Sequence, residues 1–140
     1  MNKFQIVIVA LVMPILVVGC ANQPNKEIMA GANQVELRSY QTRAFDTTDK
    51  EMMLRTVIAT LQDLGFVIDQ ADEDIGAVTG TKISGYKIRM TVITRSRGET
   101  QTSVRANAYY NVKPIEDPGP YQDFFTSLSK ALFLTAHEVD

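Results

Sequence analysis

The sequence predicts an α+β domain: an antiparallel sheet of four or five strands with two helices packed on one face, in the order β-α-β-β-β-α. Three observations lead there. Met53 or Leu54, Val57, Ile58, Leu61 and Leu64 recur at helical spacing and give one apolar stripe. Tyr86, Ile88, Met90 and Val92 alternate with polar residues, as do Val104, Ala106, Ala108 and Tyr110, which is the period of half-buried strands. Tyr121, Phe124, Phe125, Leu128, Ala131, Leu132 and Thr135 then form a second helical stripe with three aromatics. Two apolar-striped helices and a sheet with one apolar face bury each other in two layers.

Each element can be justified in chain order. Gln34 to Phe45 is rich in β-branched and aromatic residues and is predicted as the first strand. Thr48-Asp49-Lys50-Glu51 matches a capping box, with the Thr48 hydroxyl expected as N-cap of the first helix. Gly65 stands where a left-handed residue ends that helix, and Phe66 where a closing apolar contact is expected. Phe66 to Asp69 and Ala77 to Lys82 are predicted as strands about the turn at Asp72-Glu73-Asp74-Ile75-Gly76, and Ser84-Gly85 as the next turn. The two alternating runs make a hairpin across Arg97-Gly98. Both inward sets are even-numbered, which favours pairings such as Met90 with Ala106 and disfavours a two-residue loop. Pro114 and the Asp117-Pro118-Gly119-Pro120 cluster end the sheet and open the last helix. Phe133 and Leu134 lie off its stripe, so part of this helix is expected to be buried on two sides or to meet a partner.

The N-terminal segment has a different character. Ile6 to Val18 is an apolar run of 13 residues behind Lys3, shorter than the ~20 a membrane-spanning helix needs. It ends in Val17-Val18-Gly19-Cys20, and Cys20 is the only cysteine. The run resembles the lipobox of bacterial lipoprotein signal peptides. The resemblance implies cleavage between Gly19 and Cys20, diacylglyceryl transfer to the Cys20 thiol, and N-acylation of the new amino terminus. Residues 1–19 are then a cleaved signal peptide, 20–33 a lipidated cysteine with a flexible linker, and 34–140 one periplasmic domain. Ala21 to Asn33 is polar and carries Pro24 and Gly31, as a tether would. In enteric lipoproteins Asp after the cysteine signals inner-membrane retention. Ala21 holds that place here, so the resemblance implies an anchor in the outer membrane, on its periplasmic side.

Composition narrows the function classes. Loss of Lys3 with the leader takes the formal charge from −2 to −3, and no basic block stands out, so nucleic acid is a poor partner. With Cys20 lipidated, no thiol is left for a disulfide, a metal site or a nucleophile. The acidic run Asp69, Asp72, Glu73, Asp74 ahead of Gly76 misses the calcium-loop spacing, because a loop opening at Asp72 puts Gly76 at position 5 and Ile83 at position 12. It is expected to be a solvated turn. His137, the only histidine, has no partners placed near it by the sequence, and no serine sits in a G-x-S-x-G elbow. No catalytic residue, metal site or cofactor is expected.

Lys87, Arg89, Arg105, Asn107 and Tyr109 are expected to project from the sheet on the side away from the helices, and form the candidate partner surface. The run from the capped helix through Leu64-Gly65-Phe66 to Asp74-Ile75-Gly76, with the ending Tyr121 to Thr135, resembles small proteobacterial outer-membrane lipoproteins. The helix–strand order is similar to the helix-grip domains of the lipoprotein BamC, an accessory of outer-membrane β-barrel assembly. The lipobox resemblance implies a membrane contact through the lipid anchor, and a tethered domain with no active site is expected to act by contact, on an envelope protein partner. The expected function is that of a non-catalytic accessory or scaffold of a cell-envelope complex. The alternative is a carrier of small apolar ligands, with a groove between the C-terminal helix and the sheet lined by Tyr121, Phe124 and Phe125.

Overall fold

A computed structural model of the chain describes residues 26–137, with side chains described from residue 33 onward. The expected signal segment and Cys20 lie outside the described residues. The chain divides into two units, Met1–Gly31 and Ala32–Asp140. Among the described residues no helix is long and apolar enough to cross a membrane.

The described residues form an α+β fold, as predicted. Helix α1 (Lys26–Gln41) leads into the short strand β1 (Thr42–Phe45), and α2 (Lys50–Asp63) follows. Strands β2 (Val67–Asp72), β3 (Ala77–Ile83), β4 (Lys87–Arg97), β5 (Gln101–Tyr110) and the two-residue β6 (Lys113–Pro114) precede α3 (Gly119–His137). The sheet runs β1-β5-β4-β3-β2, all neighbours antiparallel, with β6 also paired to β5. The sheet has six strands where four or five were expected: the short β6 is added after the hairpin, and one helix is added at the start.

The first element differs most from expectation. The predicted strand Gln34–Phe45 is helix up to Gln41, and that helix begins at Lys26, inside the predicted tether. Leu37, Tyr40 and Gln41 sit three and four residues apart. Leu37 and Tyr40 pack on the core, and Gln41 is buried. Val35, whose β-propensity suggested a strand, is 69% exposed. The Tyr40 hydroxyl donates to Glu36 across one turn (2.8 Å), and this bond, with the carboxylate's charge, raises the pKa of the phenol.

Helix α2 is capped at both ends by its own sequence. The N-cap is Asp49, not Thr48: its backbone is extended, and its carboxylate accepts the Met52 N–H at 2.9 Å. Thr47 holds the cap in turn, its hydroxyl accepting from the Asp49 N–H (3.2 Å). Glu51 does not reach back as a capping box requires, and pairs with Arg55 one turn on. At the other end Phe66 N–H donates to Leu61 C=O and Gly65 N–H to Gln62 C=O, both at 2.9 Å, with Gly65 at φ +86. This is the Schellman arrangement, and Phe66 and Leu61 complete it by joining the same core.

The parity argument for the hairpin holds and its register shifts by two. Met90 faces Ala108, and Ala106 faces Val92, across a three-residue turn with Gly98 at φ +61. Both inward sets remain even, so Val78, Met90, Val92, Val104, Ala106 and Ala108 meet Met53, Val57 and Leu61 of α2 and Tyr121, Phe124, Phe125 and Leu128 of α3. Each large side chain buried in this way contributes about 1.5–3 kcal/mol. Both helices cover this one face.

Candidate interaction surface

Odd-numbered side chains of β3, β4 and β5 point the other way, and among the described residues no helix packs on them. Lys87 and Arg89 leave β4, and Arg105, Asn107 and Tyr109 leave β5, so the five predicted residues share one face. Arg89 stands opposite Tyr109, Asn107 opposite Thr91, and Arg105 opposite Ile93. Lys87 faces Ile83 of β3. All but Asn107, which is half-buried, are exposed.

The surface is larger than the sequence reading made it. Strand β4 continues to Arg97, so Arg95 and Arg97 extend the same odd-numbered row toward the β4–β5 turn. The signal was present, because the alternation set by Met90 and Val92 runs on through Thr94. Lys87, Arg89, Arg95 and Arg97 lie along about 34 Å of one strand, at ~3.4 Å per residue. Arg105 sits diagonally across from Arg95. Among the described residues the only ion pair is Glu51–Arg55 on α2, so none of these five cations is neutralised by a neighbouring carboxylate. Like charges on adjacent positions of a sheet lower its stability. Folding therefore gives no reason for this row.

Hydroxyls and amides fill the spaces between the charges. Thr79 and Thr91 bond through their hydroxyls at 3.0 Å, and Thr81 donates to Asp69 at 2.6 Å. Gln101 donates to Asp46 at 2.6 Å. Carboxylates on the strands of this face stand at the β2 edge, where Asp69 and Asp72 are also used by the fold: Asp72 accepts the Ile75 N–H (2.9 Å) and shapes the β2–β3 turn. The two strands that carry this row of cations, β4 and β5, hold no carboxylate.

The opposite side of the sheet is closed. Tyr121, Phe124, Phe125 and Leu128 have no exposed surface. The Tyr121 hydroxyl donates to the Ile115 carbonyl (2.6 Å) and accepts from the Ala108 N–H (3.2 Å) and the Gln41 amide (3.3 Å), tying α3 to β5, to the segment after β6 and to the end of α1. A hollow of about 150 Å³ lies beside this seam, lined by Leu64, Phe66, Lys82, Ile88, Met90 and Asp123. Pockets for small molecules usually hold ~300 Å³ or more. A wider hollow of about 350 Å³ opens between the outer sides of α2 and α3, lined by Arg55, Thr56, Ala59, Ala131 and Thr135 among others.

The off-stripe residues Phe133 and Leu134 are 62% and 53% exposed. Phe133 is covered in part by His137, whose ring stacks on it at 4.1 Å and whose Nδ1 lies 2.7 Å from the Phe133 carbonyl. The imidazole thus finishes the helix. Comparison of the chain with protein-family models and with curated proteins found no match.

Proposed function

We propose that the chain is a lipid-anchored, periplasm-facing lipoprotein of the outer membrane that acts by contact, as an accessory or scaffold of a cell-envelope complex, through the outer face of strands β4 and β5. The observation that carries this reading is the row of Lys87, Arg89, Arg95, Arg97 and Arg105 without ion-pair partners among the described residues, on a sheet face that no described helix covers. Arg and Tyr are the side chains in which interfaces concentrate their energy, and Arg89 beside Tyr109 supplies both. The occupant that fits is an acidic surface of an envelope protein, since complementary charge both steers encounter and fixes register. The anchor rests on the Val17-Val18-Gly19-Cys20 pattern.

The closed seam favours contact over carriage. An apolar ligand would have to displace Tyr121, Phe124 or Phe125, each fully buried, and break the three hydrogen bonds of the Tyr121 hydroxyl. The reading assigns the chain no reaction.

Photo-crosslinking in intact cells tests the proposal. A photoreactive residue at Thr91 or Ser103 on the outer face, and at Gln122 or Lys130 on the exposed side of α3, reports which face meets a neighbour. Adducts to one protein from Thr91 and Ser103 only are expected. Adducts from the helix positions alone would overturn the assignment of the face.

A further inference from the structure

The end of the sheet where the β3–β4 and β5–β6 turns lie carries a second unusual surface. Turn residues are normally Gly, Pro, Asn, Asp or Ser, which cost little to expose. Here the turns read Ile83-Ser84-Gly85-Tyr86-Lys87 and Tyr110-Asn111-Val112-Lys113. Each bends at one residue of positive φ, Gly85 (+74) and Asn111 (+53), and each presents apolar side chains followed by a lysine. Ile83 is 80% exposed, Val112 88% and Tyr86 48%. The Tyr86 and Tyr110 rings meet at 4.9 Å and the Asn111 N–H donates to the Lys87 carbonyl (3.0 Å), so the two turns form one joined tip. Neither turn contains a carboxylate.

Apolar side chains held at the apex of a hairpin contribute nothing to the core, and exposed apolar patches rimmed by polar residues mark contact sites. The composition is specific. Tyrosine places an apolar ring below and a hydroxyl above, and is enriched at membrane interfaces. Lysine next to it extends its ammonium to the headgroups while its stem stays in the apolar layer. Cations near an anionic bilayer each add to its attraction. We infer that this tip inserts into the interfacial layer of a bilayer bearing anionic headgroups, with Ile83, Tyr86, Tyr110 and Val112 in the acyl–headgroup boundary and Lys87 and Lys113 on the lipid phosphates. The inference goes beyond the proposed protein contact: Lys87 belongs to both surfaces, whereas Arg95, Arg97 and Arg105 lie toward the other end of the strands, and the vesicle test below contains no protein partner.

The chain contains no tryptophan, which makes the test direct. Single substitutions Tyr86→Trp, Val112→Trp and, as the control far along α3, Phe133→Trp are made in the full chain. Each is reconstituted with vesicles of phosphatidylcholine alone or with phosphatidylglycerol, with and without brominated acyl chains. In the anionic vesicles the Tyr86→Trp and Val112→Trp chains should show blue-shifted emission and quenching several-fold stronger than the Phe133→Trp chain. Adding Lys87→Glu and Lys113→Glu should remove most of that quenching, with an unchanged circular dichroism spectrum showing that the fold persists. Quenching at the tip no stronger than at Phe133 overturns the inference and leaves a protein as the occupant of the tip. Equal quenching in uncharged vesicles overturns the role given to the two lysines.

Discussion

The Tyr121 hydroxyl accepts the backbone N–H of Ala108 at 3.2 Å, where β5 is no longer paired with β1 and not yet paired with β6. That N–H is buried with no strand beside it, and a phenol on α3 takes the place of the missing strand. The same oxygen donates to Ile115, whose own N–H returns to the Ala108 carbonyl at 2.9 Å.

Tyr121→Phe keeps the ring and removes the oxygen, leaving the Ala108 N–H and the Ile115 carbonyl without this partner. Leaving buried polar groups unsatisfied costs about 1–3 kcal/mol. Urea melts should show a loss in that range. A variant as stable as the parent would mean that water or a rearranged strand satisfies both groups.

Gly76 closes the β2–β3 turn at φ +71, and a Cβ there would lie 2.7 Å from the Thr94 hydroxyl and 2.8 Å from the Thr94 carbonyl oxygen. Gly65 has a similar φ of +86, but its Cβ would meet only the flexible Lys82 side chain at 3.5 Å. Gly65→Ala should therefore lose only the left-handed penalty of roughly 1–2 kcal/mol. Gly76→Ala should lose more, because the backbone of β4 must shift. Thermal melts that rank the two the other way would contradict the turn geometry.

Helix α2 and the β4–β5 hairpin were legible because one physical pattern dominates each. The stripe from Met53 to Leu64 has no competing reading, and even–even parity survives a register error of two residues. The N-terminal helix was obscured by Val35, Tyr40 and Thr42, whose β-propensity outweighed the Leu37–Tyr40–Gln41 spacing. Propensity is the weaker of the two signals when a tertiary contact, here Gln41 with Tyr121, is invisible in the sequence. The same limit applies to the surfaces. Parity alone placed Lys87, Arg89, Arg105, Asn107 and Tyr109 on one face, whereas the length of β4 was needed to add Arg95 and Arg97. The tip required knowing that Tyr86 and Tyr110, 24 positions apart, touch.

The capping of α2 separates two neighbouring residues. Asp49→Ala removes the acceptor for the Met52 N–H and should cost about 0.5–2 kcal/mol. Thr48→Ala changes an exposed side chain and should stay within ~0.5 kcal/mol of the parent. Denaturant midpoints with an unchanged slope would measure both. A larger loss at Thr48 than at Asp49 would restore the capping box with Thr48 as its first residue.

The most direct measurement is a pull-down of the full chain from solubilised envelopes, comparing the parent with Arg89→Glu combined with Arg105→Glu at equal expression. Both side chains are exposed on the outer face, so melting should place the double variant within about 0.5 kcal/mol of the parent for each change. The contact reading predicts that a folded double variant loses a protein that the parent retains, since reversed charges penalise both encounter and register. An unchanged set of co-purifying proteins at unchanged yield, from a variant that melts like the parent, would contradict it.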